Sequence, residues 1–132
     1  MIRVALAALL LSLAACTVEA PPPEPAVPEG PGTWRLVGLN GTPPGGAVTL
    51  RFDDGGRFAG QGPCNRYFGT YTGSAPAFRA GPVGATQMAC DRLEEEGRYF
   101  AALSAVTRIE RTGAMMVLTG PGVRLDYAMP VN

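Results

Sequence analysis

Between Val48 and Phe52 apolar and polar side chains alternate, with Val48, Leu50 and Phe52 on one face and Thr49 and Arg51 on the other. Val123, Leu125 and Tyr127 repeat the pattern over residues 123–127. A period of two is that of an antiparallel strand with one face in a core and the other in water. Less regular runs of the same kind cover residues 34–39, 57–61, 67–72, 107–111 and 115–119. Asp53-Asp54-Gly55-Gly56 separates two of them and predicts a tight hairpin turn, because an Asp-Gly centre accepts the positive φ angles such turns need. The two aspartates also resemble a fragment of a calcium loop, but no further acids follow at ligand spacing.

One stretch has the helical period. Leu93, Gly97, Phe100, Leu103 and Val106 recur at steps of three and four, predicting a helix over residues 91–106. Asp91 is placed to cap its start, and Glu94 three residues on completes an Asp variant of the capping box. Glu94, Glu95 and Glu96 fall in the first turn, where the helix dipole favours anions. That position explains the acidic triplet without chemistry, since adjacent helical residues point in different directions and form no acid–base pair. The whole reads as a mainly β (α+β) domain over residues 32–132, about 100 residues long. It is expected to be a compact antiparallel sheet or partly closed barrel of about seven or eight strands with one packed α-helix.

A different pattern precedes it. After Met1-Ile2-Arg3, residues 4–13 are apolar apart from Ser12, too short a run to cross a bilayer as a helix, which takes about 20 residues. A basic start, a short apolar region and small residues before a cut make a signal peptide. Leu13-Ala14-Ala15-Cys16 resembles the bacterial lipobox, so residues 1–15 are expected to be removed and Cys16 to carry lipid. The plainer alternative is an ordinary secretory signal followed by a chance cysteine. Thr17 stands where many inner-membrane lipoproteins have Asp, which by that resemblance directs the protein to the outer membrane of a Gram-negative bacterium, facing the periplasm. Residues 16–31 then form the lipidated cysteine and a tether. Six of the fifteen residues 17–31 are Pro and three are Glu, a composition that stays extended. A proline-rich docking motif is the alternative reading of the same segment.

Composition narrows the chemistry. The 132 residues hold eleven Arg, no Lys, no His and eleven acids, for a formal charge of zero. Without a basic cluster the chain lacks what a nucleic-acid binder needs. Without His there is no imidazole ligand, base or nucleophile activator, and without Lys no Schiff-base or P-loop chemistry. The serines beyond the signal segment, Ser74 and Ser104, lie in no Gly-x-Ser-x-Gly setting. We therefore expect no catalytic residue, no metal site and no cofactor. Of three cysteines, setting Cys16 aside leaves Cys64 and Cys90, which in an oxidising periplasm form a disulfide. A redox-active pair is the functional alternative, but the spacing is far from Cys-x-x-Cys.

Cys64-Asn65-Arg66, then Gly69-Thr70-Tyr71, then Thr86-Gln87-Met88-Ala89-Cys90 are similar to the META/HslJ family. The opening Trp34–Gly41, the stretch 52–62, and Glu96, Phe100, Leu103, Met116, Val117, Leu118 and Leu125 continue the resemblance across residues 33–128 in order. Pro63 departs from it, since the family usually has Gly before the cysteine. The resemblance implies a β-domain with one helix in a bacterial envelope protein linked to heat shock, antibiotic tolerance or surface stress. Its motif residues here are Trp34, Gly41, Asn65, Arg66, Gly69, Tyr71, Thr86 and Met88, read as fold-forming.

The expected function is accordingly that of a non-enzymatic, monomeric lipoprotein, held to the membrane by its N-terminal anchor, that supports envelope integrity under stress by binding an envelope protein or lipid. Two alternatives come from other classes. One is a host lysozyme inhibitor, for which the Ser-Gly-x-x-Tyr-like signature is missing. The other is a barrel that captures a small apolar ligand, with Met88, Met115, Met116 and Met129 as a pliable lining.

Overall fold

The structure, a computed structural model, describes Cys16, Val27 and residues 32–74 and 77–130. The signal segment lies outside the described residues, as does the tether apart from Val27. Among the described residues, nine strands and one helix follow in the order β1 (Trp34–Leu39), β2 (Thr49–Asp53), β3 (Arg57–Gln61), β4 (Arg66–Thr72), β5 (Arg79–Ala80), β6 (Gly84–Ala85), α1 (Leu93–Ser104), β7 (Arg108–Thr112), β8 (Met115–Gly120) and β9 (Val123–Ala128). The seven longer strands are those the alternation predicts, with ends moved by a residue or so. The two-residue strands β5 and β6 have no such signal, being too short for a period to show.

All pairings are antiparallel, in the order β5-β4-β3-β2-β1-β9-β8-β7, with β6 beside β4. The sheet curls into a nearly closed barrel whose seam lies between β5 and β7. There the Arg79 guanidinium reaches across to the Thr107 carbonyl at 3.2 Å. The β2–β3 turn occupies 54–56, with Gly55 and Gly56 both at positive φ (77° and 70°), as its sequence predicts. At the far end of β1, Asn40 and Gly41 also take positive φ (49° and 83°), the Asn-Gly geometry of a tight reversal that brings Thr42 back onto Leu39.

Inward residues fill the barrel: Trp34, Leu50, Phe52, Phe58, Tyr67, Met116, Leu118, Leu125 and Tyr127 are fully buried, and α1 adds Tyr99 and Leu103. Val27 is half-buried against this core, so the tether segment touches the domain there.

Three tyrosine hydroxyls meet inside. The single proton of Tyr67 goes to the Thr49 carbonyl at 2.6 Å, because a carbonyl can only accept. Tyr99 therefore donates to Tyr67 (2.7 Å) and Tyr127 to Tyr99 (2.9 Å). Burial pushes the Tyr99 phenol up to about 12, and Tyr67 and Tyr127 well above their ordinary value, so the chain stays neutral at any physiological pH. Gly60 on β3 leaves room for it: a Cβ there would run into the Thr49 carbonyl oxygen and lie 2.8 Å from the Tyr67 hydroxyl. Gly60→Ala is expected to cost about 1–3 kcal/mol through this crowding, read as a lowered Tm in a thermal melt.

The helix departs from its prediction in two ways. It begins at Leu93 after Arg92, and no side chain caps it. Asp91 and Glu94 form no capping box: Glu94 instead pairs with Arg98 at 2.7 Å. The Arg92 N–H faces Cys90 Sγ at 3.3 Å, placing the disulfide, rather than a carboxylate, at the start of the helix. The inward stripe is also turned. Phe100, Leu103 and Val106 face the core as expected, but Leu93 is 49% exposed and Gly97 has open space around it. Their places on the buried face are taken by Glu96 and Tyr99.

Candidate functional site

Where β3 turns into β4, the Gly62 N–H bonds the Asn65 carbonyl at 2.7 Å, which closes a tight turn around Pro63 and Cys64. The next two backbone N–H groups, of Cys64 and Asn65, point outward from this turn to one Glu96 oxygen at 2.7 and 2.6 Å. The Asn65 side-chain amide donates to the other Glu96 oxygen at 2.7 Å. Its Oδ1 accepts from the Thr86 hydroxyl at 3.1 Å and the Met88 N–H at 2.6 Å. Glu96 and Asn65 are 5% and 2% exposed. A disulfide joins Cys64 to Cys90, with their Cα atoms 6.0 Å apart. Three segments remote in sequence are thus clasped together: the 62–65 turn, the 86–90 loop and helix α1.

The electrostatics follow from this geometry. Burial pushes the Glu96 carboxyl upward, but the donors from Asn65 and Cys64 outweigh it and hold the group below its usual range. The ionised carboxylate is therefore the form the clasp is built for. Pro63 fits here despite its departure from the family pattern, because the clasp draws its donors from residues 64 and 65 and asks for no N–H at 63. Gly62 is needed instead, since a Cβ there would lie 2.9 Å from Glu96 Oε2.

The motif residues separate into groups. Asn65, Thr86 and Met88 meet in the clasp beside both cysteines. Trp34 and Tyr71 lie in the barrel core, Tyr71 with its ring stacked on Phe78 at 5.4 Å. Gly69 is in β4 under the Phe58 ring, where a Cβ would collide. Arg111 lies over the Trp34 ring at 5.5 Å, and the indole N–H has no hydrogen-bond partner. Gly41 forms the turn after β1, and Arg66 is exposed at the start of β4. Cys16 is exposed and is the free thiol among the described cysteines.

Glu96 belongs to the stretch that carries the resemblance, but the helix pattern alone does not single it out as a site residue, because its place in the triplet Glu94–Glu96 fits a helix start equally well. A signal was present: Glu96 lies three residues before Tyr99 and seven before Leu103, in register with the buried stripe. The proposed methionine lining is not assembled. Met116 is fully buried in the core, Met129 is half-buried, and Met88 and Met115 are 63% and 45% exposed. The barrel interior is filled by aromatic and aliphatic side chains in their place.

Above the clasp lies a groove of about 480 Å³ with Val83, Ala85, Met88 and Leu93 on its apolar sides and Asn65 and Glu96 in its floor. The Asn65 oxygen and both Glu96 oxygens are already engaged, so this floor fastens segments together and leaves the apolar sides as the surface on offer. Among the described residues no group of three or more His, Cys, Asp or Glu is placed to hold a metal ion, and no helix is long and apolar enough to cross a membrane.

A family model described as the META domain matches residues 28–131. The fold resembles an NMR structure of a protein from Burkholderia xenovorans, 25% identical, with a TM-score of 0.62 over 89% of this chain and 97% of that one. It also resembles a second NMR structure, 20% identical, with a TM-score of 0.60 over 74% of this chain and 88% of the other. A crystal structure of a DUF4847 family protein from Bacteroides vulgatus, 14% identical, shares the fold with a TM-score of 0.57, over 74% of this chain and 91% of that one. No match is found among curated proteins.

Proposed function

The chain belongs to the META-domain family, and from that premise we propose a non-enzymatic lipoprotein that supports envelope integrity under heat and antibiotic stress. Cys16 anchors it to the outer membrane, facing the periplasm, and the domain binds another envelope component. The observation that carries this reading is Cys16 itself: an exposed free thiol, directly after Leu13-Ala14-Ala15 and ahead of a Pro-rich segment, while the other two cysteines are joined in the domain. A single acyl chain gives marginal membrane binding, and the further chains a mature lipoprotein carries make attachment stable. The exposed Met88 and Leu93, set on the clasp, supply an apolar surface for the bound component.

The test is a deletion strain complemented with wild type or with Cys16→Ala, scored for heat and antibiotic sensitivity, alongside metabolic labelling of the protein with a radioactive fatty acid. Sensitivity restored to normal only by the form that takes label is the expected result. Equal rescue by Cys16→Ala, or no sensitivity in the deletion strain, sinks the reading; a lysozyme inhibition assay then addresses the host-directed alternative.

A further inference from the structure

A second concavity lies at the mouth of the barrel, between the loop that follows β1 and helix α1. It measures about 540 Å³, within the roughly 300–1,000 Å³ of small-molecule sites. Leu36, Leu39, Val48 and the Tyr99 ring form its floor, and Pro43, Pro44 and Pro63 its walls.

The wall is fixed at both ends. At one, the Asn40-Gly41 turn is held by mutual Leu39–Thr42 backbone bonds of 2.9 and 3.0 Å. At the other, the Gly45 N–H donates to Glu95 at 2.9 Å, and Arg92 holds the same carboxylate at 2.9 Å. Two prolines stiffen the stretch between. The concavity is therefore built into the fold.

The lining also says what can enter. Its inner polar side chains are already bonded: Glu95 to Gly45 and Arg92, the Tyr99 hydroxyl to Tyr67 and Tyr127, and the Asn40 amide to Gly122 and Arg124. A peptide inserted here would bring N–H and C=O groups that find no free side chain inside, each costly to bury unpaired. An alkyl chain makes no such demand. Arg98 lines the cleft, and it forms a 2.7 Å pair with Glu94 just beyond the lining, their side chains 61% and 89% exposed. So exposed a pair is weak, and each member is open to recruitment by an opposite charge.

We propose that this cleft binds the alkyl chain of a single-chain zwitterionic amphiphile, with the head group's anionic part on Arg98 and its cationic part toward Glu94. The site needs neither the lipid anchor nor the groove above the clasp, so it stands or falls apart from the function proposed above.

The test uses the full mature chain carrying Cys16→Ser, titrated with dodecylphosphocholine below its micelle-forming concentration and followed by amide NMR shifts. Saturable shifts at Leu39, Thr42, Gly45 and Arg98 are expected. Thr42→Trp, at an exposed rim position, fills the mouth and weakens binding by about tenfold or more. Arg98→Gln should weaken it by about threefold while leaving the shifts in place. Shifts spread over Phe68, Met88 and Met115 and indifferent to Thr42→Trp would mean surface adsorption and overturn the site, as would no shifts at all. Equal affinity for dodecanoate would overturn the head-group assignment.

Discussion

Glu96→Ala is expected to remove about 3–5 kcal/mol of stability, the low end of what three donors left unpaired at about 1–3 kcal/mol each would cost. Three donors lose their acceptor together: the N–H groups of Cys64 and Asn65 and the Asn65 amide, all within 2.7 Å of the carboxylate. Water does not readily replace it, since Asn65 is 2% exposed. For a domain whose total stability lies in the range of about 5–15 kcal/mol, that is a large share, visible as an early midpoint in urea. Glu96→Gln keeps the shape but turns an –NH2 toward one set of donors, so a smaller loss is expected.

The pH dependence follows in sign. The folded carboxyl is held below its ordinary value, so its stabilisation is fully present above the unfolded pKa of about 4.3 and is lost as pH falls through the folded value. Wild type should therefore lose stability below about pH 4 more steeply than Glu96→Gln. Parallel curves for the two would show that the carboxylate is not what holds the turn.

Glu96 also shows what could and could not be read along the chain. Strands announced themselves because each longer one buries alternate residues against a single core, as Leu50 and Phe52 or Leu125 and Tyr127 do. The hairpin at Gly55-Gly56 was legible because positive φ selects few residues. Helix α1 was legible in its second half and misread in its first. A count of apolar residues treats Leu93 as inside and Glu96 as outside, whereas burial of Glu96 depends on donors 31 and 32 residues away. The motif Cys64-Asn65 flagged one side of that contact. Only the fold pairs it with the other, which is why the clasp and the cleft behind Pro43-Pro44 both came from the structure.

The disulfide gives the second large effect, and one that tests whether the clasp acts as a unit. Cys64→Ala/Cys90→Ala opens a loop of 27 residues, and the chain-entropy relation puts the loss at about 3.5 kcal/mol. Alanine keeps the residue 64 N–H, so the bond to Glu96 is not removed by chemistry, only by whatever motion the lost crosslink permits. The crosslink and the Glu96 bonds fix the same turn against the start of the same helix. Once one is gone the turn is less well placed, and losing the other should cost less. Combined with Glu96→Ala, the total destabilisation is therefore expected to fall short of the sum by about 0.5–3 kcal/mol, measured as a cycle in urea. Strict additivity would mean that the disulfide and the carboxylate act on separate parts of the fold. A double-alanine variant as stable as wild type would remove the structural reason for the disulfide and return the Cys64–Cys90 pair to candidacy as a redox element.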